Sequence, residues 1–164
     1  MLDRPAVQDL SSPSRPSAPA SIDRLVPGAA EEAIWLLARC LIGGIFVSSG
    51  FGKLTGLDGF AASLAAKGVP MAEVMALVGG AVEFFGGLAI VLGWQARYAA
   101  LLMALFTVVA TLISHRFWDV QDAVARKGQI IHFTKNLAIL GAFLLLFVHG
   151  AGRFSVDGWL RRRR

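Results

Sequence analysis

The stretch from Met71 to Leu92, MAEVMALVGGAVEFFGGLAIVL, is almost wholly apolar, yet it carries a glutamate, Glu83, near its centre. About 20 apolar residues in a helix cross the hydrocarbon of a bilayer, so this stretch predicts a membrane span. An acid near the midplane costs about 2.5–3.5 kcal/mol even on lenient insertion scales, and it needs a partner, a proton or water. Gly79, Glu83 and Gly87 are spaced four apart, with Gly86 alongside. Small residues at that spacing let a second helix approach closely. The acid is therefore expected to point into a helix bundle, away from lipid.

The composition agrees. In a chain of 164 residues, 55% are hydrophobic and only 16% charged, and the mean hydropathy is +0.62. These values exclude an ordinary soluble globule. The net charge of +5 does not signal nucleic acid, because Lys and Arg cluster beside the apolar runs, as they do at the ends of membrane spans. The single cysteine, Cys40, excludes an internal disulfide or a CxxC redox pair, so any thiol-based role needs a partner protein's sulfur.

Residues 1–30 are rich in Ser, Pro and Ala, lack apolar periodicity and read as a disordered tail without a signal peptide. Four spans follow, at about 34–51, 71–92, 97–114 and 130–148. In the first, Cys40, Gly44 and Ser48 make a small, faintly polar face that gives Cys40 a packing role, and Arg39 is near enough to the interface to snorkel. The 52–70 connection reads as a loop with a short interfacial helix near 59–67. Gly93–Ala96 is a tight turn that makes spans two and three antiparallel neighbours. Thr107, Thr111, Ser114 and His115 form a polar stripe on the third span; His132, Lys135 and Asn136 form another on the fourth. Trp35, Trp94, Trp118 and Trp159 fall near span ends, as an interfacial belt has them.

Alternation of four spans puts Lys53, Glu73, His115, His132 and Lys135 on one side of the membrane, with Glu83 deeper. The polar groups converge on a funnel open to that side. Arg24, Arg97, Arg153 and Arg161 to Arg164 flank the other side, seven charges against five for Lys53, Lys67, Arg116, Arg126 and Lys127. The positive-inside rule then places both termini in the cytoplasm and the funnel outside. The expected fold is an all-α integral membrane protein: residues 1–30 a tail, 31–157 the four-helix transmembrane bundle, 158–164 a basic anchor that also attracts anionic lipid.

Certain residues, taken in order, carry a family resemblance. Phe51-Gly52-Lys53-Leu54 closes the first span, and Glu83-Phe84-Phe85-Gly86-Gly87 runs to Leu92-Gly93 in the second. Arg97 opens the third span and His115 ends it. Lys135-Asn136-Leu137-Ala138 lies in the fourth, and Gly150-Ala151-Gly152-Arg153-Phe154-Ser155-Val156-Asp157 closes the chain. Over residues 34–157 this resembles the DoxX family of small four-helix bacterial inner-membrane proteins. The resemblance implies an inner-membrane bundle among relatives that include a subunit of a thiosulfate:quinone oxidoreductase, and it connects the chain with membrane redox and oxidative-stress complexes.

Glu83 is open to two readings, a structural carboxylate or a proton-handling site. A Lys135 contact with Glu83, direct or through water, is within reach; Lys135 otherwise serves as a cation for a quinone or small anion. Lys135, Asn136, His115, His132 and Thr111 form the candidate ligand-binding set. His115 and His132 with Glu73 lack a metal-ligand spacing, so no metal site is assigned. The leading function is a subunit or accessory of a membrane redox pathway that takes a quinone head group or small oxyanion, with no covalently bound cofactor. The bilayer, a redox partner protein and a second copy or another subunit are its candidate partners, and nucleic acid is not. The alternative is a non-enzymatic assembly or stabilising factor for other membrane proteins. A transporter lacks support, since no inverted repeat or broken helix is visible.

Overall fold

The computed structural model describes residues 28–163. Six helices follow in order: α1 Gly28–Thr55, α2 Leu57–Ala66, α3 Ala72–Leu92, α4 Ala96–Ser114, α5 Ala123–His149 and α6 Val156–Arg162, with a short 3₁₀ turn at Phe117–Asp119. Four segments are long and apolar enough to cross a membrane: α1, α3, α4 with the turn that follows it, and α5. The all-α, four-span architecture expected from the sequence is the architecture found.

The bounds differ at the ends. The first span begins at Gly28 and runs to Thr55, well beyond 34–51. Ala29, Ala30, Glu31, Glu32 and Ala33 are good helix formers, so the helix starts before the hydrocarbon does. Residues 28–30 thus belong to α1, and the remainder of the expected tail, 1–27, lies outside the described residues. The short interfacial helix is found at Leu57–Ala66. The fourth span begins at Ala123, seven residues before the apolar run, because the Asp122 carboxylate caps it by accepting from the Ala125 amide at 2.7 Å.

The bundle packs in chain order, α1 on α3, α3 on α4 and α4 on α5. As α1 advances from Gly43 to Leu54, its partner on α3 falls back from Gly87 to Gly80, an antiparallel register. At the crossing a Cβ on Gly43 would stand 2.8 Å from the Gly87 carbonyl oxygen, and one on Gly87 would stand 2.9 Å from that of Gly43. The contact is backbone to backbone and only glycine permits it. The packed face of α1 is therefore Arg39, Gly43, Phe46 and Gly50. The expected stripe of Cys40, Gly44 and Ser48 is displaced by one position, and Cys40 is exposed rather than packed. On α3 the buried face includes Gly80, Glu83, Gly86 and Gly87.

The core lies in the half of the bundle nearest the α3–α4 turn. Phe46, Ile90, Ala100, Met103, Phe143 and Leu146 meet there, and the Phe46 and Phe143 rings, 5.4 Å apart, join α1 to α5. A second cluster of Ala61, Leu64 and Ala76 fastens α2 to the start of α3. Outward faces carry Leu37, Leu41, Ile45, Leu101, Leu105, Leu144 and Leu145, all exposed. In a bilayer this apolar surface meets acyl chains.

Candidate functional site

In place of the single funnel expected, two polar groupings on different seams occupy the half of the bundle away from the core. The first lies on the α1–α3 seam. Lys53, in the last turn of α1, donates to a carboxylate oxygen of Glu83 in the middle of α3. Antiparallel register brings them together: the Lys53 Cβ lies against Gly80, and the long side chain reaches one turn further along α3. The Phe60 ring of α2 stands 5.1 Å from the Lys53 Nζ, a cation–π distance. Lys53 thus lies between an acid and a ring supplied by two other helices. The Lys53 side chain keeps 30% of its surface accessible and Glu83 only 6%. The lysine covers the acid.

The expected contact of Glu83 with Lys135 is not made. Lys135 is exposed on α5, and its polar neighbour is His132 Nδ1 at 3.4 Å. Lys53 takes its place because it shares the tight α1–α3 seam with Glu83, whereas α5 packs on α4.

The second grouping runs along the α4–α5 seam and contains all five residues of the candidate ligand-binding set. The His115 and His132 rings stack with centroids 5.1 Å apart. His115 Nδ1 is 2.9 Å from Gln129 Oε1. One turn deeper, the Asn136 amide donates to the Thr111 hydroxyl at 2.8 Å. Thr111 donates to the Thr107 carbonyl at 2.6 Å, and Thr107 to that of Met103 at 2.7 Å. Both hydroxyls are thereby satisfied inside the helix ladder, while the Thr111 oxygen still accepts from α5. Thr107, Thr111, Phe133, Asn136, Leu137 and Leu140 border a cleft of about 60 Å³ between the two helices. Lys135 and His132 are exposed beside it. Among the described residues no group of three His, Cys, Asp or Glu side chains is arranged to hold a metal ion.

At the opposite end Arg39 departs from the snorkelling role expected of it. The residue is 1% exposed. Its guanidinium donates to the Val91 carbonyl at 3.3 Å and to the Phe154 carbonyl. The carbonyls in the last turn of a helix lack intrahelical partners and carry the negative end of its dipole. Arg39 supplies donors to one of these on α3 and to the closing segment at once. Asp157 adds a second tie, accepting at 2.9 Å from the amides of both Gln95 and Ala96 and so capping α4. Its own amide donates to the Gly93 carbonyl at 3.0 Å.

Sequence reasoning missed Lys53 as the partner of Glu83, Phe60 over it, Gln129 beside His115, and the clamp made by Arg39 on the Phe154 carbonyl and Asp157 on the start of α4. Lys53 had a signal in its place one residue after Gly52 at the end of a span. For the clamp the separation of 115 residues between Arg39 and Phe154 hid the pairing.

Comparison with known proteins agrees with this architecture. Residues 34–116 match the DoxX family. Inner membrane protein YphA of Escherichia coli is 38% identical over 131 residues, covering 79% of this chain and 92% of that protein. Inner membrane protein YqjF of Escherichia coli is 36% identical over 135 residues, covering 81% of this chain and 96% of that protein. A Surfeit locus protein 4 homolog of Schizosaccharomyces pombe is 35% identical over 69 residues, 42% of this chain and 23% of that protein. No solved structure matches. With four apolar spans and relatives of this kind that it covers almost end to end, the chain belongs to the DoxX family and is a multi-pass protein of the bacterial inner membrane.

Proposed function

We propose that this protein is a quinone-interacting subunit of a membrane redox pathway, with the α4–α5 seam as its docking place. The observation that carries this reading is the exposure of Lys135 and His132 on a lipid-facing flank of α5, between exposed Ile131 and Leu137. A soluble oxyanion would come through water. A quinone head group travels in the bilayer and meets this flank directly. The seam cleft of about 60 Å³ is far below the roughly 300–1,000 Å³ of pockets that enclose small molecules. The ring therefore lies on the seam, with one carbonyl oxygen toward Lys135 and His132, rather than inside the bundle.

Reduction of a quinone to a quinol takes two electrons and two protons. The chain's share is to bind the head group and supply protons; the electrons come from a partner redox protein. Lys135 stabilises the charge that develops on the quinone oxygen, as a cation does for any growing oxyanion. His132, within reach of Lys135 and stacked on His115, is placed to hand a proton to the quinone oxygen. Glu83 lies on the separate α1–α3 seam under Lys53, and a proton role for it is tested on its own.

The test is purification in mild detergent, followed by extraction and chromatographic quantitation of quinone. Wild type is expected to carry quinone, and Lys135→Met/His132→Leu to lose it while keeping its fold, because both side chains are exposed. Wild type that carries none, and that does not bind an added short-chain quinone, removes the proposal.

A further inference from the structure

A cleft of about 240 Å³ opens at the other end of the bundle, lined by Gln95, Arg97, Tyr98, Ala151, Asp157 and Arg161, among others. It lies between the first turn of α4 and the closing segment. We infer that this cleft is a phosphate-binding site whose occupant is the headgroup of an anionic phospholipid.

The argument begins with charge. Arg97 and Arg161 come from opposite walls, and among the described residues neither has a carboxylate within ion-pair distance. Asp157 shares the cleft, but both its oxygens are engaged by the Gln95 and Ala96 amides at the positive end of α4. The cleft is left with a positive balance, and Arg162 and Arg163 follow directly in sequence. Arginine forks match phosphate oxygens in geometry as well as charge.

Position adds to this. Arg97 lies beside the turn after α5, its Nε 3.5 Å from where a Cβ on Gly150 would be. Trp94, Tyr98 and Trp159 are exposed at the same end, and Arg163 stacks on the Trp159 ring at 3.8 Å. Exposed indole and phenol rings collect at the headgroup level of a bilayer, so the cleft stands at the depth of lipid phosphates. Its apolar lining of Tyr98, Ala151 and Leu160 suits the glycerol end of a lipid. Inorganic phosphate shares the charge chemistry and lacks that apolar part.

The experiment takes the full chain, delipidated in a neutral maltoside detergent, and measures its thermal midpoint after adding phosphatidylglycerol, phosphatidylcholine or inorganic phosphate. Phosphatidylglycerol is expected to raise the midpoint saturably, and the rise to vanish in Arg97→Gln/Arg161→Gln. It should persist in Arg126→Gln/Lys127→Gln, which removes the same charge from the opposite end. An equal rise with inorganic phosphate assigns the site to the soluble ion. An equal rise with phosphatidylcholine, or the same loss in both double variants, overturns the inference. Native mass spectrometry of Arg161→Gln covers the case in which the double variant does not fold, since Arg161 is exposed on the terminal helix. Its bound phosphatidylglycerol should fall at least several-fold, and unchanged binding overturns the site.

Discussion

Between Lys53 and Glu83 only one partner meets water to any extent, and that asymmetry sets what each substitution does. Glu83 is enclosed, so Lys53→Met leaves a buried acid without its cation. Such a loss typically costs about 3–5 kcal/mol, or forces the carboxyl to take a proton. Glu83→Gln leaves a lysine with almost a third of its surface accessible, which can turn outward. It is expected to cost about 1–3 kcal/mol, the range for a lost buried hydrogen-bond partner. The double variant Lys53→Met/Glu83→Gln should recover most of the Lys53→Met loss. Lys135→Met should change stability by less than about 0.5 kcal/mol, because Lys135 is exposed and makes no contact with Glu83. The check is a double-mutant cycle on thermal unfolding in detergent. A coupling within error of zero between Lys53 and Glu83 would dissolve the pair, and a coupling between Lys135 and Glu83 would restore the contact that the seam geometry denies. A Glu83→Gln protein that folds but fails to complement a deletion strain would give the acid its proton role.

At the scale of helices, close approach and end capping hold the bundle together. The α1–α3 contact depends on Gly43 and Gly87, where an added Cβ would enter the facing backbone. Gly87→Leu is therefore expected to be strongly destabilising, by more than the about 1–3 kcal/mol of ordinary overpacking, since rigid main chain opposes it. Gly79, expected to share that face, has only the Phe60 ring near, at 3.8 Å, so Gly79→Ala should be close to neutral. Equal detergent midpoints for Gly87→Leu and wild type would turn the crossing toward lipid. Asp157→Ala should cost about 0.5–2 kcal/mol through the lost cap of α4. Amide exchange would show it first at Gln95 and Ala96. These elements also show what a sequence discloses. Spans, turn and interfacial helix were legible because hydrophobic runs and glycines are local signals. The five seam residues were legible as a set, because each polar stripe has helical spacing on its own span. The helix faces were displaced by one position on α1, since Cys40-Gly44-Ser48 and Arg39-Gly43-Phe46-Gly50 both have helical spacing. Arg39 misled for a physical reason: its carbonyl partners belong to backbone far along the chain, and backbone acceptors leave no trace in residue type.

For the whole molecule, the balance of charge at the two ends predicts which one faces the cytoplasm. Seven basic residues flank the span ends on one side and five on the other. The structure sharpens the contrast. Lys53 is engaged inside the bundle by Glu83 and Phe60, so it does not act as a free flanking charge, and four remain at that end. One of these, Arg116, is matched by Asp119 at 3.4 Å. On the opposite side Arg97, Arg161 and Arg163 have no carboxylate within ion-pair distance among the described residues. Free positive charge flanking short loops stays in the cytoplasm, so the α3–α4 turn and α6 are expected inside, with α2 and the α4–α5 connection outside. In a Cys40→Ser background, Gly59→Cys and Gln121→Cys should react with a membrane-impermeant maleimide once the outer membrane is opened. Gln95→Cys and Arg162→Cys should react only after the inner membrane is lysed. All four positions are exposed, so a silent site cannot be ascribed to burial. The reverse pattern would invert the protein and place α2 and the α4–α5 connection in the cytoplasm. Labelling of Gln95 and Arg162 from opposite sides would break the four-span bundle itself, because Asp157 joins the closing segment to the start of α4 at one end.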